Sequence, residues 1–163
     1  MPAFVPRPQL TPEQVLQRFT KGPKTGLFTD GSATPNPGTG GWSAVYVVDD
    51  EIIDAISGRE QFTTNNRMEL TGLIAAYKMA SETMPLDIYT DSQLCVKTVN
   101  EWAASWAKRG WKRKDGEIKN LELVQELYAL SLQKKNLKLQ WIRAHDGSRW
   151  NEYADALAGS YLR

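Results

Sequence analysis

Between residues 25 and 57 the apolar positions come in short runs separated by glycine, proline and acidic pairs. Gly26-Leu27-Phe28-Thr29-Asp30 predicts a strand, Gly31–Gly41 a glycine- and proline-rich turn, and Trp42–Val48 a second strand. Asp49-Asp50 turns the chain into a third strand over Glu51–Ser57, and connections this short favour antiparallel pairing. From Asn65 the period lengthens. Leu70, Leu73, Ile74 and Tyr77 share one helical face, Asn66 with Glu69 three residues on predicts a capping box, and Pro85 closes the stretch. Leu86–Thr90 predicts a fourth strand, followed by helical sequence from Ser92 to about Trp106, a basic loop and an amphipathic helix near Asn120–Leu132. Leu137-Lys138-Leu139-Gln140-Trp141 alternates as a last strand, and Asn151–Leu162 predicts a terminal helix. Three strands, then helices interspersed with two more strands, predict an α/β domain with a mixed sheet and helices on its faces.

Residues 1–24 read as an appendage to a domain spanning 25–163. Pro2, Pro6, Pro8 and Pro23 punctuate it, and Thr11-Pro12-Glu13-Gln14 combines a cap, a proline at the first helical position and a capping-box glutamine, predicting a short helix to about Phe19. With 20 Lys/Arg against 19 Asp/Glu the net charge is +1, so only the distribution of charge can point to a polyanionic partner. The single Cys95 excludes an intrachain disulfide and a multi-cysteine zinc site, and fits a reducing, cytoplasmic setting. No apolar run approaches a membrane span, so no membrane partner is expected. One histidine, His145, excludes cleavage by a pair of imidazoles, and neither a Gly-x-Ser-x-Gly elbow nor a P-loop is present.

Four carboxylates stand at the ends of apolar runs or on helical ones: Asp30, Glu69, Asp91 and Asp155. Each has an ordinary reading. Asp30-Gly31 is a common turn dipeptide, Glu69 suits a capping box, Asp91 suits an N-cap, and Asp155 suits a solvent-facing helical position. The combination reads differently. If strands one and four are neighbours, Asp30 and Asp91 lie side by side, and two helices on the sheet can aim Glu69 and Asp155 at the same point. Four converging carboxylates repel one another unless a counter-charge meets them. Two divalent ions about 3.5–4 Å apart would turn such a cluster into a clamp for an attacking water and a leaving oxygen.

Amides surround these acids: Asn36, Asn65, Asn66 and Gln93. They suit minor-groove edges and a ribose 2′-hydroxyl, or equally loop and capping duties. Trp102, Trp106, Lys108, Arg109, Trp111, Lys112, Arg113 and Lys114 place five positive charges and three indoles in thirteen residues, with no acid between Lys108 and Lys114. That segment reads either as a phosphate- and base-binding surface or as a solvated loop beside core tryptophans. His145 sits in a polar loop ten residues before Asp155, where it is either a plain loop residue or a group that moves a proton.

Thr29-Asp30-Gly31-Ser32, Thr64-Asn65-Asn66-Arg67-Met68-Glu69-Leu70, Thr90-Asp91-Ser92-Gln93 and the Trp102–Lys112 string resemble the motifs of type 1 ribonuclease H, in the same order, from about Thr25 to the C-terminus. The resemblance implies a five-stranded mixed sheet, three strands antiparallel and then two parallel, flanked by helices. It implies a monomeric endonuclease that hydrolyses the RNA strand of RNA–DNA hybrids to 3′-hydroxyl and 5′-phosphate ends. Asp30, Glu69, Asp91 and Asp155 would hold two Mg²⁺ ions, with Mn²⁺ an alternative, and His145 would be a mobile auxiliary base. Asn36, Asn65, Asn66 and Gln93 would read the hybrid's minor groove, and Thr64 and Asn120 would hold a phosphate of the DNA strand. Trp102, Trp106, Lys108, Arg109, Trp111 and Lys112 would form the family's basic protrusion. The chain departs from the pattern in three places. Ala144-His145-Asp146-Gly147 replaces Gly-His-x-Gly, Phe62 stands where some members carry an arginine near the DNA-phosphate pocket, and residues 1–24 do not match the family's hybrid-binding module. Two rival readings remain on the sequence: a hybrid-binding protein without catalysis, and an integrase- or transposase-like nuclease acting on DNA.

Overall fold

The computed structural model describes residues 9–113 and 115–162. Lys114 of the basic segment therefore lies outside the described residues. A helix, α1 (Pro12–Arg18), precedes a five-stranded sheet made of β1 (Gly26–Ala33), β2 (Gly38–Val48), β3 (Glu51–Thr63), β4 (Leu86–Thr90) and β5 (Leu137–Trp141). The strand order is β3-β2-β1-β4-β5, with β1, β2 and β3 antiparallel and with β1–β4 and β4–β5 parallel. Helix α2 (Asn65–Met79) and α6 (Arg149–Ala158) pack on the sheet. Helices α3 (Gln93–Lys97), α4 (Ala103–Lys108) and α5 (Leu121–Gln133) complete the chain, with a short 3₁₀ turn over Gly159–Leu162. Among the described residues no helix is long and apolar enough to cross a membrane.

The mixed sheet predicted from the apolar runs is present, and β4 and β5 have the predicted limits. Asp49 and Asp50 both take positive φ, 49° and 68°, the hairpin-turn geometry that matches strand twist. Elsewhere the boundaries move. The first three strands are longer than expected, so the glycine- and proline-rich turn shrinks to residues 34–37. The helical stretch after Ser92 is broken by a π turn at Thr98–Trp102, and α6 begins two residues earlier than expected. Helix α2 ends at Met79, well ahead of Pro85; there the ammonium of buried Lys134 takes over the Tyr77 and Ala80 carbonyls at 2.6 and 2.7 Å.

Alternation along the central strands divides the core. Leu27, Ala44 and Ile88 face α2 and α5, meeting Leu70, Leu73, Tyr77, Val124 and Leu127. Phe28, Val45 and Val47 face the other way, onto Trp150 and Ala154 of α6. The Ser43 hydroxyl donates to the Ala154 carbonyl at 2.6 Å, and the Trp150 indole N–H donates to Asp50 at 2.8 Å, fixing α6 along its length.

Helix α2 approaches β1 most closely at Gly31. A Cβ there would fall on the Met68 carbonyl carbon and the Glu69 nitrogen, both backbone atoms. Gly31→Ala is expected to push α2 off the sheet and cost about 1–3 kcal/mol. Urea denaturation of the two proteins checks this, and an unchanged midpoint would mean that the helix retreats without loss.

Candidate active site

The parallel pairing of β1 and β4 sets the centre of the site. Phe28 pairs with Tyr89, and two residues further on stand Asp30, inside β1, and Asp91, the first residue past β4. Side chains two apart share a sheet face, so Asp30 follows Phe28, whose ring stacks on Tyr89 at 5.0 Å, towards α6, and Asp91 feels the charge of Asp155 on that helix. Asp155, on α6, hydrogen-bonds to Asp30. Glu69 arrives from α2 on the opposite face; it accepts a hydrogen bond from Ser92 and feels the charge of Asp91. The structure thus brings the four expected carboxylates together at one end of the sheet.

The ordinary readings of three of these acids do not hold. Asp30 lies inside a strand with Gly31, not in a turn. Helix α2 is capped by Thr64, whose hydroxyl accepts the Arg67 N–H at 3.2 Å, so Asn66 is not the cap and Glu69 is not a capping-box residue. Ser92, not Asp91, caps α3 by accepting the Cys95 N–H at 3.1 Å. For Glu69 and Asp91 a neighbouring hydroxyl does the capping, so neither carboxylate is used as a cap.

Burial and crowding shift these groups. Burial holds the Asp30 carboxyl well above the usual range, helped by the charge of Asp91 and by the hydrogen bond and charge of Asp155; the Gly31 N–H offsets part of this. Burial and then Asp155 push Asp91 up to about 6, with His145 opposing. Burial also raises Glu69, against the Ser92 hydroxyl.

His145 stands in the loop before α6 with φ of 54°. Its imidazole and the carboxylates of Glu152 and Asp155 have ligand atoms within 4.8 Å of one another. Glu152 was not among the candidates read from the sequence. Its spacing of three from Asp155 on a helix puts the two on one face, and that was the available signal. Burial and Asp155 raise the Glu152 carboxyl, while His145 and a hydrogen bond from the Gly147 N–H lower it. Asp146 is exposed.

The expected substrate-facing residues fall into two groups. Near the acids, the Asn36 side chain accepts the Asn65 N–H at 3.1 Å, Asn65 accepts the Ala33 N–H at 2.7 Å, and Asn66 accepts from the Cys95 thiol at 3.7 Å. Their carbonyl oxygens brace the β1–β2 connection and α3 against α2. Gln93 is exposed. Asn120 accepts from Arg67 at 3.1 Å, and Arg67 also pairs with Glu122 at 2.7 Å. Beyond these lie the tryptophans. Trp102 and Trp106 pack at 6.0 Å beside a cleft of about 460 Å³ that Asn66, Leu94, Arg113 and Lys119 also line. Lys108, Arg109 and Lys112 are exposed, and Trp111 packs edge-on against Tyr128 at 5.8 Å. Phe62, near the end of β3, is 76% exposed.

An oxygen-rich donor set of this kind, buried and self-repelling, fits a hard divalent cation. The sheet order and its acidic end define the ribonuclease H-like class of α/β fold. Residues 23–163 match the family model for RNase H. The chain is 43% identical over 135 residues to a ribonuclease H of Methylorubrum extorquens, covering 83% of this chain and 58% of that protein. It is 42% identical over 133 residues to a ribonuclease H of Thiobacillus denitrificans, covering 81% of this chain and 88% of that protein. RNase H1 from the halophilic archaeon Halobacterium salinarum superposes with a TM-score of 0.62 at 25% identity, covering 83% of this chain and 95% of that one. The chain belongs to the ribonuclease H family, a family of enzymes.

Carboxyls raised in the folded state take up protons on folding. In the metal-free protein the stability they allow at low pH is therefore lost as pH rises from the ordinary 3.8 of Asp91 through about 6, and the raised Asp30 carboxyl adds a loss of the same sign. Asp91→Asn is expected to raise the metal-free Tm at about pH 8 and to flatten its decline with pH. Mg²⁺ should raise the wild-type Tm more at about pH 8 than at about pH 5, where protons compete for the same oxygens. Thermal melts with and without EDTA check both, and a pH-independent Mg²⁺ response would remove these carboxylates from the binding site.

Proposed function

We propose that this chain is an endonuclease that hydrolyses the RNA strand of RNA–DNA hybrids, leaving 3′-hydroxyl and 5′-phosphate ends. The observation that carries this reading is the convergence of Asp30, Glu69, Asp91 and Asp155 from two strands and two helices on opposite faces of the sheet. These four would hold two divalent ions, Mg²⁺ or Mn²⁺. When bound, such ions supply an acidified water and charge stabilisation for the leaving 3′-oxygen.

The chain's own groups do the rest. Asp30, inside β1, and Asp91, immediately past β4, form the floor of the site. Glu69, oriented by Ser92, stands where it can align the attacking water or a 2′-hydroxyl. His145, on the loop beside Glu152 and Asp155, can accept and release a proton as product departs. The side-chain amides of Asn36, Asn65, Asn66 and Gln93 suit the minor groove, where 2′-hydroxyls mark the RNA strand. Thr64 and Asn120 suit a DNA-strand phosphate, and the exposed Lys108, Arg109 and Lys112 with Trp102, Trp106 and Trp111 suit the backbone and sugars of that strand. A binding protein without catalysis would be expected to lack a carboxylate, and none of the four is missing.

Incubation of end-labelled hybrid with Mg²⁺ or EDTA, beside RNA–RNA and DNA–DNA duplexes, tests the reading. Cutting of the RNA strand of the hybrid alone, and only with metal, is expected. Asp30→Asn should lower the rate by roughly three orders of magnitude or more while hybrid affinity stays within a few-fold. Binding without cutting by the wild type would instead support the non-catalytic reading, and cutting of the DNA duplex the integrase-like one.

A further inference from the structure

Residues 9–22 lie outside the family match and run along α6, the helix that carries Glu152 and Asp155. At one end the Gln9 amide fills the space against Gly159. Along the middle Val15 is buried and Leu16 joins the cluster of Trp150, Tyr153 and Leu157. At the other end the segment reaches the loop of His145. Lys21 forms a parallel bridge with Ser148, and its carbonyl accepts the Arg149 N–H at 2.9 Å. Gly22, at φ of +91°, lies so near that a Cβ would collide with the Ser148 hydroxyl.

The start of α6 needs this contact. Ser148 occupies the N-cap position, yet its side chain makes no capping bond and its hydroxyl is buried without a partner. The first N–H groups of a helix have no acceptor within it. Here the first of them is satisfied by the Lys21 carbonyl. The loop from Arg143 to Ser148 has no regular structure; besides the Gly147 N–H bond to Glu152, two backbone pins hold its flanks, Ile142 N–H to the Thr90 carbonyl at 2.9 Å and Arg149 N–H to the Lys21 carbonyl. One pin belongs to the sheet and the other to the N-terminal segment.

We propose that residues 9–22 are a positioning strap, whose Lys21 carbonyl sets the start of α6 and so holds His145 over Glu152 and Asp155. Lys21 and Gly22 are positioning residues that act through His145. The effect on turnover rests on the hydrolytic reading above, whereas the effect on the loop does not.

One backbone bond can be removed in the full chain. Arg149 is the first residue of α6, where proline is tolerated, and Ser148, at φ −69° and ψ 116°, already has the extended conformation that a residue before proline adopts. Arg149→Pro deletes the N–H; Arg149→Ala loses the same side chain and keeps it. Relative to Arg149→Ala, Arg149→Pro is expected to lower kcat on the hybrid by roughly tenfold with KM within about twofold. In a His145→Ala background that difference should vanish. Gly22→Ala, which presses on Ser148 from the other side, should show the same loss and the same dependence on His145. Equal kcat for the proline and alanine variants, or a loss that persists without His145, would overturn the strap. Amide hydrogen exchange over residues 143–148 gives a readout independent of cleavage. Faster exchange in Arg149→Pro than in Arg149→Ala supports the strap even if the wild type cuts nothing, in which case the hydrolytic reading alone falls. Unchanged exchange removes the strap whatever the activity.

Discussion

The structure depends on the parallel register of β1 and β4, because it brings two carboxylates, Asp30 inside β1 and Asp91 just past β4, to the same end of the sheet. Both strands are internal to the sheet, and Asp30 is 7% exposed. A surface aspartate that met another would turn into solvent. These two, with Asp155 hydrogen-bonded to Asp30, can lessen their repulsion only by taking up a proton or by sharing a cation. The capping chemistry around them makes sense in that light. Thr64 and Ser92 satisfy the helix starts, so no carboxylate is drawn away from the cluster to do so.

The two helices that bring the remaining acids are held unequally. Helix α2 belongs to the larger core cluster and sits against Gly31 with no space for a Cβ, so the place of Glu69 is fixed by backbone contact. Helix α6 rests on a smaller cluster around Trp150 and begins without a side-chain cap. Its fixed points are single bonds from elsewhere: Ser43 to Ala154, Trp150 to Asp50, and Arg149 to Lys21. A helix held in this way needs outside support to keep Asp155 in register with the strand acids, and two of those supports come from before β2 or from the β2–β3 turn.

The fold was most legible where local pattern and burial agree. Leu86–Thr90 and Leu137–Trp141 are short segments in which apolar and polar residues alternate, with clear flanks, and both strands end where the pattern ends. It was least legible at β3, which is a free edge. Its residues 58–62 are exposed or half-buried, so no apolar alternation marks them, and pairing with β2 rather than hydrophobicity extends the strand to Thr63. Gly40 and Gly41 read as turn residues but lie in β2, pressed by Thr63 on one and Tyr161 on the other, contacts that only the folded chain reveals. The capping box failed because two capping residues, Thr64 and Asn66, stand two apart and only geometry chooses between them. The four carboxylates could be picked out by their motifs, yet their convergence needed the sheet order. Glu152 was visible only as a helical neighbour of Asp155, a spacing too common to single out any residue.

A net charge of +1 is the sum of two opposed regions. The acids cluster at the end of the sheet, half-buried to buried, whereas Lys108, Arg109 and Lys112 stand exposed beside the tryptophans with no acid among them. Between the two, Arg67 on α2 pairs with Glu122 and Asn120 at the start of α5, joining the helix that carries Glu69 to the helix that follows the basic segment. Under the proposed reading this separation has a physical purpose. A buried acidic cluster by itself repels phosphate, so it cannot supply affinity for a polyanion. Exposed cations and indoles can, through counterion release and stacking, but they provide no reactive centre. Placing each on its own element lets binding be tuned without disturbing the carboxylates, and leaves the cation as the one component that reconciles a negative site with a negative substrate.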